Sequence, residues 1–299
     1  MLVVVGLSAA RLEAAPPPAR VEIRWPVVTS NTVLADLVSQ VGRDRIQVRA
    51  LAPAGTDPHT FQPTPDATRL LARSRLAFWN GSGLEEWWGK LVRGAARRDL
   101  EVVELSKGLA TLKSTEASQR GGGREEAPDP HVWLDPFLVK TYVDRIREAL
   151  SRVDPAGTAA FAERAAAYQN RLDELDAWIR GEVETLPASR RKMVTFHNAF
   201  QYFAQRYGFN VRGFVVASPG KEPSAKALAD LARKIKQEQI PAVFAEADFN
   251  AKLLATLAKD AGVKVVTNLY DGSLSSGPPA DSYLNLMKHN VTQIVNGLR

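Results

Sequence analysis

Short apolar runs alternate with longer stretches of helical periodicity along nearly the whole chain. Residues 21–29 (VEIRWPVVT) predict a first strand, and Ser30-Asn31 then supplies a cap for a helix reaching Gly42. Residues 46–51 predict the next strand, 65–74 a helix opened by Pro65, 76–79 a short strand, 84–97 a helix and 101–105 another strand. The rhythm restarts later. Strands are predicted at 192–196, 211–217, 242–245 and 263–267, with helices at 199–207, 223–239 (capped by Ser224), 250–261 and 280–298. Strands alternating with helices of these lengths mean parallel βα units, whose ligands bind where loops leave the carboxyl ends of the strands.

Between the two series the pattern changes twice. Residues 107–128 (KGLATLKSTEASQRGGGREEAP) carry three consecutive glycines and mixed charge, so 106–127 is expected to be a mobile loop. Helices then follow at 136–152 and 155–186. The second comprises roughly 32 residues of strong helix formers, close to 48 Å at ~1.5 Å per residue, long enough to span two lobes. The expected fold class is therefore α/β, with two lobes of parallel βα units joined by one long helix and a site in the cleft between them. The lobes would be 21–154 and 187–299, with 155–186 as connector. Residues 1–20 begin MLVVVGLSAA and read as a signal segment without a basic start. No later run approaches the ~18 apolar residues of a membrane span.

Composition narrows the chemistry. The 299 residues are 45% hydrophobic and 24% charged, as in an ordinary folded protein. The net charge of +6 is scattered, with Arg97-Arg98 and Arg190-Arg191-Lys192 the only tight groups, so no nucleic-acid partner is expected. There is no cysteine. Disulfides, thiolate metal sites, cysteine nucleophiles and a lipid-anchor cysteine are absent from this sequence, which leaves His, Asp and Glu as strong metal ligands.

Two of the four histidines sit in a repeated phrase. Residues 55–65 read GTDPHTFQPTP and residues 129–136 read DPHVWLDP, so Asp-Pro precedes both His59 and His131. Prolines restrict the backbone on both sides and hold each histidine still. His197 is delivered by the strand at 192–196, and Asp271 follows the strand at 263–267. The gaps of 72, 66 and 74 residues rule out a zinc finger or HExxH helix, so a site made from these four residues must draw on both lobes. Each alone would more often be a structural polar group; their shared placement makes them candidate ligands.

DPHTFQPTP, DPHVWLDP, FHNAFQYFAQRYGF, SPGKEPSAKALADL and the final YDGSLS…DSYLNLMKHNVTQIVNGL closely resemble the zinc- and manganese-binding solute-binding proteins of ABC importers. The resemblance covers almost everything after residue 25. It implies two lobes on a rigid helix, periplasmic location, a monomer, an ABC permease as partner and no enzymatic activity. Carried over position by position, the metal ligands fall on His59, His131, His197 and Asp271. Manganese-type members usually have Glu where His197 stands, and three imidazoles with one carboxylate suit Zn2+ better than Mn2+, though Mn2+ is possible. Gln62 departs from the more usual Glu, and loop 106–127 has no histidine.

The rival class is a zinc hydrolase, which would keep one coordination position open for water. Asp271 decides between the two, and no nucleophile elbow or HExxH helix is present. Glu246 is a candidate to orient a ligating imidazole or a structural acid. His289 matches no ligand position. Phe61 and Trp133 stand beside the histidine loops, while Trp87, Trp88, Phe196, Phe200 and Phe203 read as packing residues. The loop 269–279 (LYDGSLSSGPP) is rich in glycine and serine, so Asp271 is expected to be the first ligand to let go during release.

Overall fold

The computed structural model describes residues 24–95, 99–113, 128–216, 219–220, 222–246 and 251–299. The expected signal segment 1–20, the strand start at 21–23, most of the expected mobile loop (114–127) and the expected ends at 96–97, 217 and 250 lie outside the described residues.

The first lobe contains strands β1 (Trp25–Thr29), β2 (Ile46–Ala50), β3 (Leu76–Trp79) and β4 (Glu101–Glu104), with helices α1 (Thr32–Gly42), α2 (Pro65–Arg73) and α3 (Trp88–Ala95). Helices α4 (Pro136–Val153) and α5 (Thr158–Glu184) lead to the second lobe. That lobe has β5 (Lys192–Thr195), α6 (Gln201–Tyr207), β6 (Asn210–Phe214), α7 (Ala225–Gln237), β7 (Ala242–Glu246), α8 (Ala251–Ala261), β8 (Lys264–Leu269) and α9 (Tyr283–Leu298). Both sheets are parallel throughout, ordered β2-β1-β3-β4 and β6-β5-β7-β8. This shared order puts a topological switch beside the carboxyl ends of β1 and β3 in one lobe, and of β5 and β7 in the other.

Helix starts follow the sequence signals closely. Asn31, Thr64, Asp135, Ser224 and Ser282 each accept a backbone N–H from the first turn of the following helix. The third helix begins at Trp88 rather than residue 84. Gly81, Ser82 and Gly83 all have positive φ there, and the Glu85 carboxylate turns inward to accept from Asn80 N (3.0 Å), Gly81 N (3.1 Å) and Ser30 Oγ (2.5 Å). α9 likewise starts at Tyr283, because residues 275–280 close a tight turn through Ser275 and Ala280.

The connector α5 has 27 residues, about 40 Å at 1.5 Å per residue. It is shorter than expected because residues 155–157 form a separate 3-10 turn. Its buried stripe of Phe161, Ala165, Tyr168, Leu172, Leu175, Ile179 and Val183 packs against α1 and α4 of the first lobe and against α6 and α9 of the second. One continuous apolar core therefore runs through both lobes, flanked by a smaller outer cluster in each. Among the described residues, no helix is long and apolar enough to cross a membrane.

Candidate metal centre

The two lobes bring His59, His131, His197 and Asp271 to one place. His131 Nε2 lies 3.1 Å from His59 Nε2 and 3.3 Å from His197 Nε2, and His197 Nε2 lies 3.3 Å from Asp271 Oδ2. Two sets of ligand atoms, each mutually within 4.8 Å, share His197: His59, His131 and His197 in one, His197, Glu246 and Asp271 in the other.

Each side chain is fixed by its own neighbourhood. In the loop after β2, Asp57 Oδ1 accepts His59 N–H at 2.8 Å and Asp57 Oδ2 accepts the Thr60 hydroxyl at 3.0 Å, while Trp87 Nε1–H donates to Pro58 O at 2.9 Å. Phe61 packs edge-on against Trp87. Burial first, and then the facing His131 and His197, hold the His59 pKa well below its ordinary 6.5, so its ring is neutral.

His131 is buried, and Asp129 Oδ1 accepts both its backbone N–H (3.0 Å) and its ring Nδ1–H (2.8 Å). That bond leaves the Nε2 lone pair facing the cluster, as a carboxylate behind a ligating imidazole does. His197 follows β5, where Thr195 Oγ1 and Ala199 N both donate to its carbonyl. Its Nδ1 stands 3.0 Å from Glu246 Oε1 at the end of β7. Burial opposes a charge on His197, but Glu246 and Asp271 outweigh it and push the pKa up to about 9. Burial also raises Glu246.

Asp271 leaves β8 at the edge of the second sheet. Its carbonyl accepts Trp133 Nε1–H at 2.6 Å, and Asn290 of α9 pins the preceding Tyr270 backbone by accepting its N–H at 2.9 Å and donating to its O. The loop beyond is not loose, despite its glycines. Ser273 Oγ accepts Gly55 N–H (2.8 Å), Thr32 Oγ1 accepts Leu274 N–H (2.8 Å), and Gly272 sits so close to Pro58 that an added Cβ would lie 2.6 Å from Pro58 Cδ.

Other sequence-flagged residues lie apart. Gln62 is exposed. His289 accompanies Asn268 O at 2.8 Å and stacks its ring edge-on to Tyr270. Trp88, Phe196, Phe200 and Phe203 are core. No local sequence signal marks the Glu85 network beneath the site: burial pushes Glu85 up to about 7 against the donors it gathers, and Asn80 Nδ2–H reaches Pro130 O at 2.9 Å, next to His131. The Asp of each DPH phrase does more than stiffen its turn: its carboxylate accepts the backbone N–H two residues on, as in an Asx turn.

Residues 27–297 match the family model of ZnuA, zinc-uptake complex component A periplasmic. The manganese-binding lipoprotein MntA of Halalkalibacterium halodurans is 33% identical over 273 residues, covering 91% of this chain and 88% of that protein. The zinc-binding protein TroA of Treponema pallidum is 33% identical over 278 residues, with the same two coverages of 91% and 88%. A solved structure of the periplasmic zinc binding protein TroA from Treponema pallidum has a TM-score of 0.82 at 32% identity, covering 92% of this chain and 99% of that one. With the two-lobed architecture, the long helix and the imidazole cluster in the cleft, these likenesses show that the chain belongs to the ZnuA family of periplasmic, metal-binding substrate-binding components of ABC metal importers.

Proposed function

We propose that the protein captures one divalent transition metal ion between its lobes, through Nε2 of His59, His131 and His197 and the carboxylate of Asp271, and passes it to an ABC permease. Zinc is the preferred cargo and manganese the weaker one. The observation that carries the reading is the imidazole cluster, with His131 Nε2 3.1 and 3.3 Å from its two neighbours, and Asp271 Oδ2 3.3 Å from His197 Nε2 in the second set that shares that ring. A tetrahedral ion with bonds of ~2.05 Å sets its ligand atoms about 3.3 Å apart. Three imidazoles and one carboxylate also match zinc better than manganese, which favours more oxygen.

On this reading Asp271 fills the position that a hydrolase keeps for water, which makes the protein a carrier rather than a catalyst. Asp129 and Glu246 serve as outer partners that orient His131 and His197. Residues 1–20 direct export, and the protein works as a monomer outside the cytoplasm. Relatives named for zinc and for manganese are equally identical to this chain, so the donor set and not the kinship favours zinc. Elemental analysis of protein purified without added metal tests the choice: zinc at one equivalent is expected, and manganese at one equivalent with zinc absent would overturn it.

A further inference from the structure

Helix α6 belongs to the second lobe, yet two side chains one turn apart on it grip both ends of the segment that carries His131. Tyr202 is buried, and its hydroxyl donates to Asp129 O at 2.8 Å while accepting Leu112 N–H at 3.0 Å. Arg206 Nε lies 3.1 Å from Asp135 Oδ1 and 2.7 Å from Asp176 Oδ1 on α5, with its guanidinium 4.8 Å from the Phe137 ring centre. Tyr207 O–H reaches the same Asp176 oxygen at 2.8 Å. Between these ends, Tyr283 of α9 donates to Trp133 O at 2.8 Å, and Trp133 Nε1–H donates to Asp271 O.

Residues 129–135 are thus tied to the second lobe at four points, one of them ionic. Against these, among the described residues, the first lobe sets Asn80 Nδ2–H on Pro130 O, Asp129 N–H on Leu112 O (2.7 Å), and the Phe137 N–H of α4 on Asp135 Oδ1 (2.9 Å), all of them neutral donors. His59 is tied the other way. Ala52 N–H donates to Ser30 O and Trp87 Nε1–H to Pro58 O, both within the first lobe. Its loop meets the second lobe through the neutral Gly55–Ser273 bond and the Pro58–Gly272 contact.

We infer that Tyr202 and Arg206 are positioning residues that make His131 part of the second lobe's rigid body, so that separation of the lobes parts His59 from His131, His197 and Asp271. This rests on the metal reading above. It also reverses the order expected from loop composition: Asp271, pinned by Trp133 at its own carbonyl and by Asn290 at the preceding Tyr270, is not the first ligand to leave.

Four full-length proteins test it: wild type, Tyr202→Phe, Arg206→Gln and, as the conservative rescue, Arg206→Lys. Hydrogen exchange of the metal-free proteins is expected to quicken in residues 129–135 of the first two variants, with residues 55–61 unchanged. Chelator-capture kinetics of the zinc-loaded proteins should show about tenfold faster dissociation, about 1.4 kcal/mol, with unchanged association. Arg206→Lys should recover part of that loss. A fall in melting temperature with wild-type protection at 129–135 and wild-type dissociation would make both residues merely structural and overturn the inference. Should the wild type bind no zinc, the metal reading fails, and the exchange comparison still decides the positioning claim.

Discussion

Asp57-Pro58-His59 and Asp129-Pro130-His131 begin alike: in each, the aspartate two residues before the histidine accepts that histidine's own backbone N–H, at 2.8 and 3.0 Å. They part at the residue that follows. Thr60 draws Asp57 Oδ2 to its hydroxyl, whereas the apolar Val132 offers nothing, and the Asp129 oxygen that caps the backbone also takes the His131 ring Nδ1–H. One repeat thus yields two kinds of ligand. His131 is buried, tautomer-fixed and central; His59 is partly exposed and has its backbone, but not its ring, set by its aspartate. A repeated tripeptide sets the same backbone turn twice, but only in the second copy does its aspartate also reach the imidazole.

The largest effect that sharpens this contrast comes from removing the rings. His131→Ala should lower zinc affinity by more than the roughly 10–100-fold that outer partners are worth, and His59→Ala should cost less than His131→Ala. Competition against a chromophoric chelator reads both; a larger loss at His59 would break the ranking. Next come the aspartates. Asp129→Asn should lower affinity roughly 10–100-fold by loosening the tautomer, while Asp57→Asn, whose amide oxygen still accepts the His59 N–H, should cost far less. Equal losses would mean that both carboxylates act only on backbone.

Proton competition ranks third. His197 has its pKa raised from 6.5 to about 9 in the metal-free protein, so its imidazolium contributes stability that is fully present below 6.5 and is lost as pH rises through about 9. Metal needs the neutral ring, so binding at about pH 7.5 should expel a proton, and affinity should climb toward pH 9 instead of levelling near the ordinary histidine value. Calorimetry in buffers of different ionisation enthalpy counts that proton; none released at this pH would contradict the assignment. The smallest expected effect is Thr60→Val, which removes one exposed hydrogen bond and should cost about 0.5 kcal/mol of stability in thermal denaturation, with affinity near wild type.

Much of this arrangement was legible from residue order alone. Parallel βα units were readable because apolar runs of strand length alternate with capped helical periods, and the caps at Asn31, Thr64, Asp135 and Ser224 sit where the sequence puts Asn, Thr, Asp or Ser before such a period. The four cleft residues could be gathered because each ends a strand or occupies a proline-stiffened loop. What escaped was long-range. Glu85 looks like an ordinary residue of an amphipathic helix until the loops after β1 and β3 converge on its carboxylate, and the glycine-rich Asp271 loop looks pliable until Thr32, Gly55 and Trp133 close on it. The Asp271-loop contacts join positions more than 130 residues apart, and Ser30 lies 55 residues from Glu85, beyond the reach of local pattern.

X-ray absorption of the zinc-loaded protein tests the central claim most directly, because it counts nitrogen and oxygen neighbours without depending on affinity. The account predicts three imidazole nitrogens near 2.0–2.1 Å and a carboxylate oxygen at about 2.0–2.2 Å, with one imidazole lost in each of His59→Ala, His131→Ala and His197→Ala. An imidazole count unchanged in any of those three variants would contradict it.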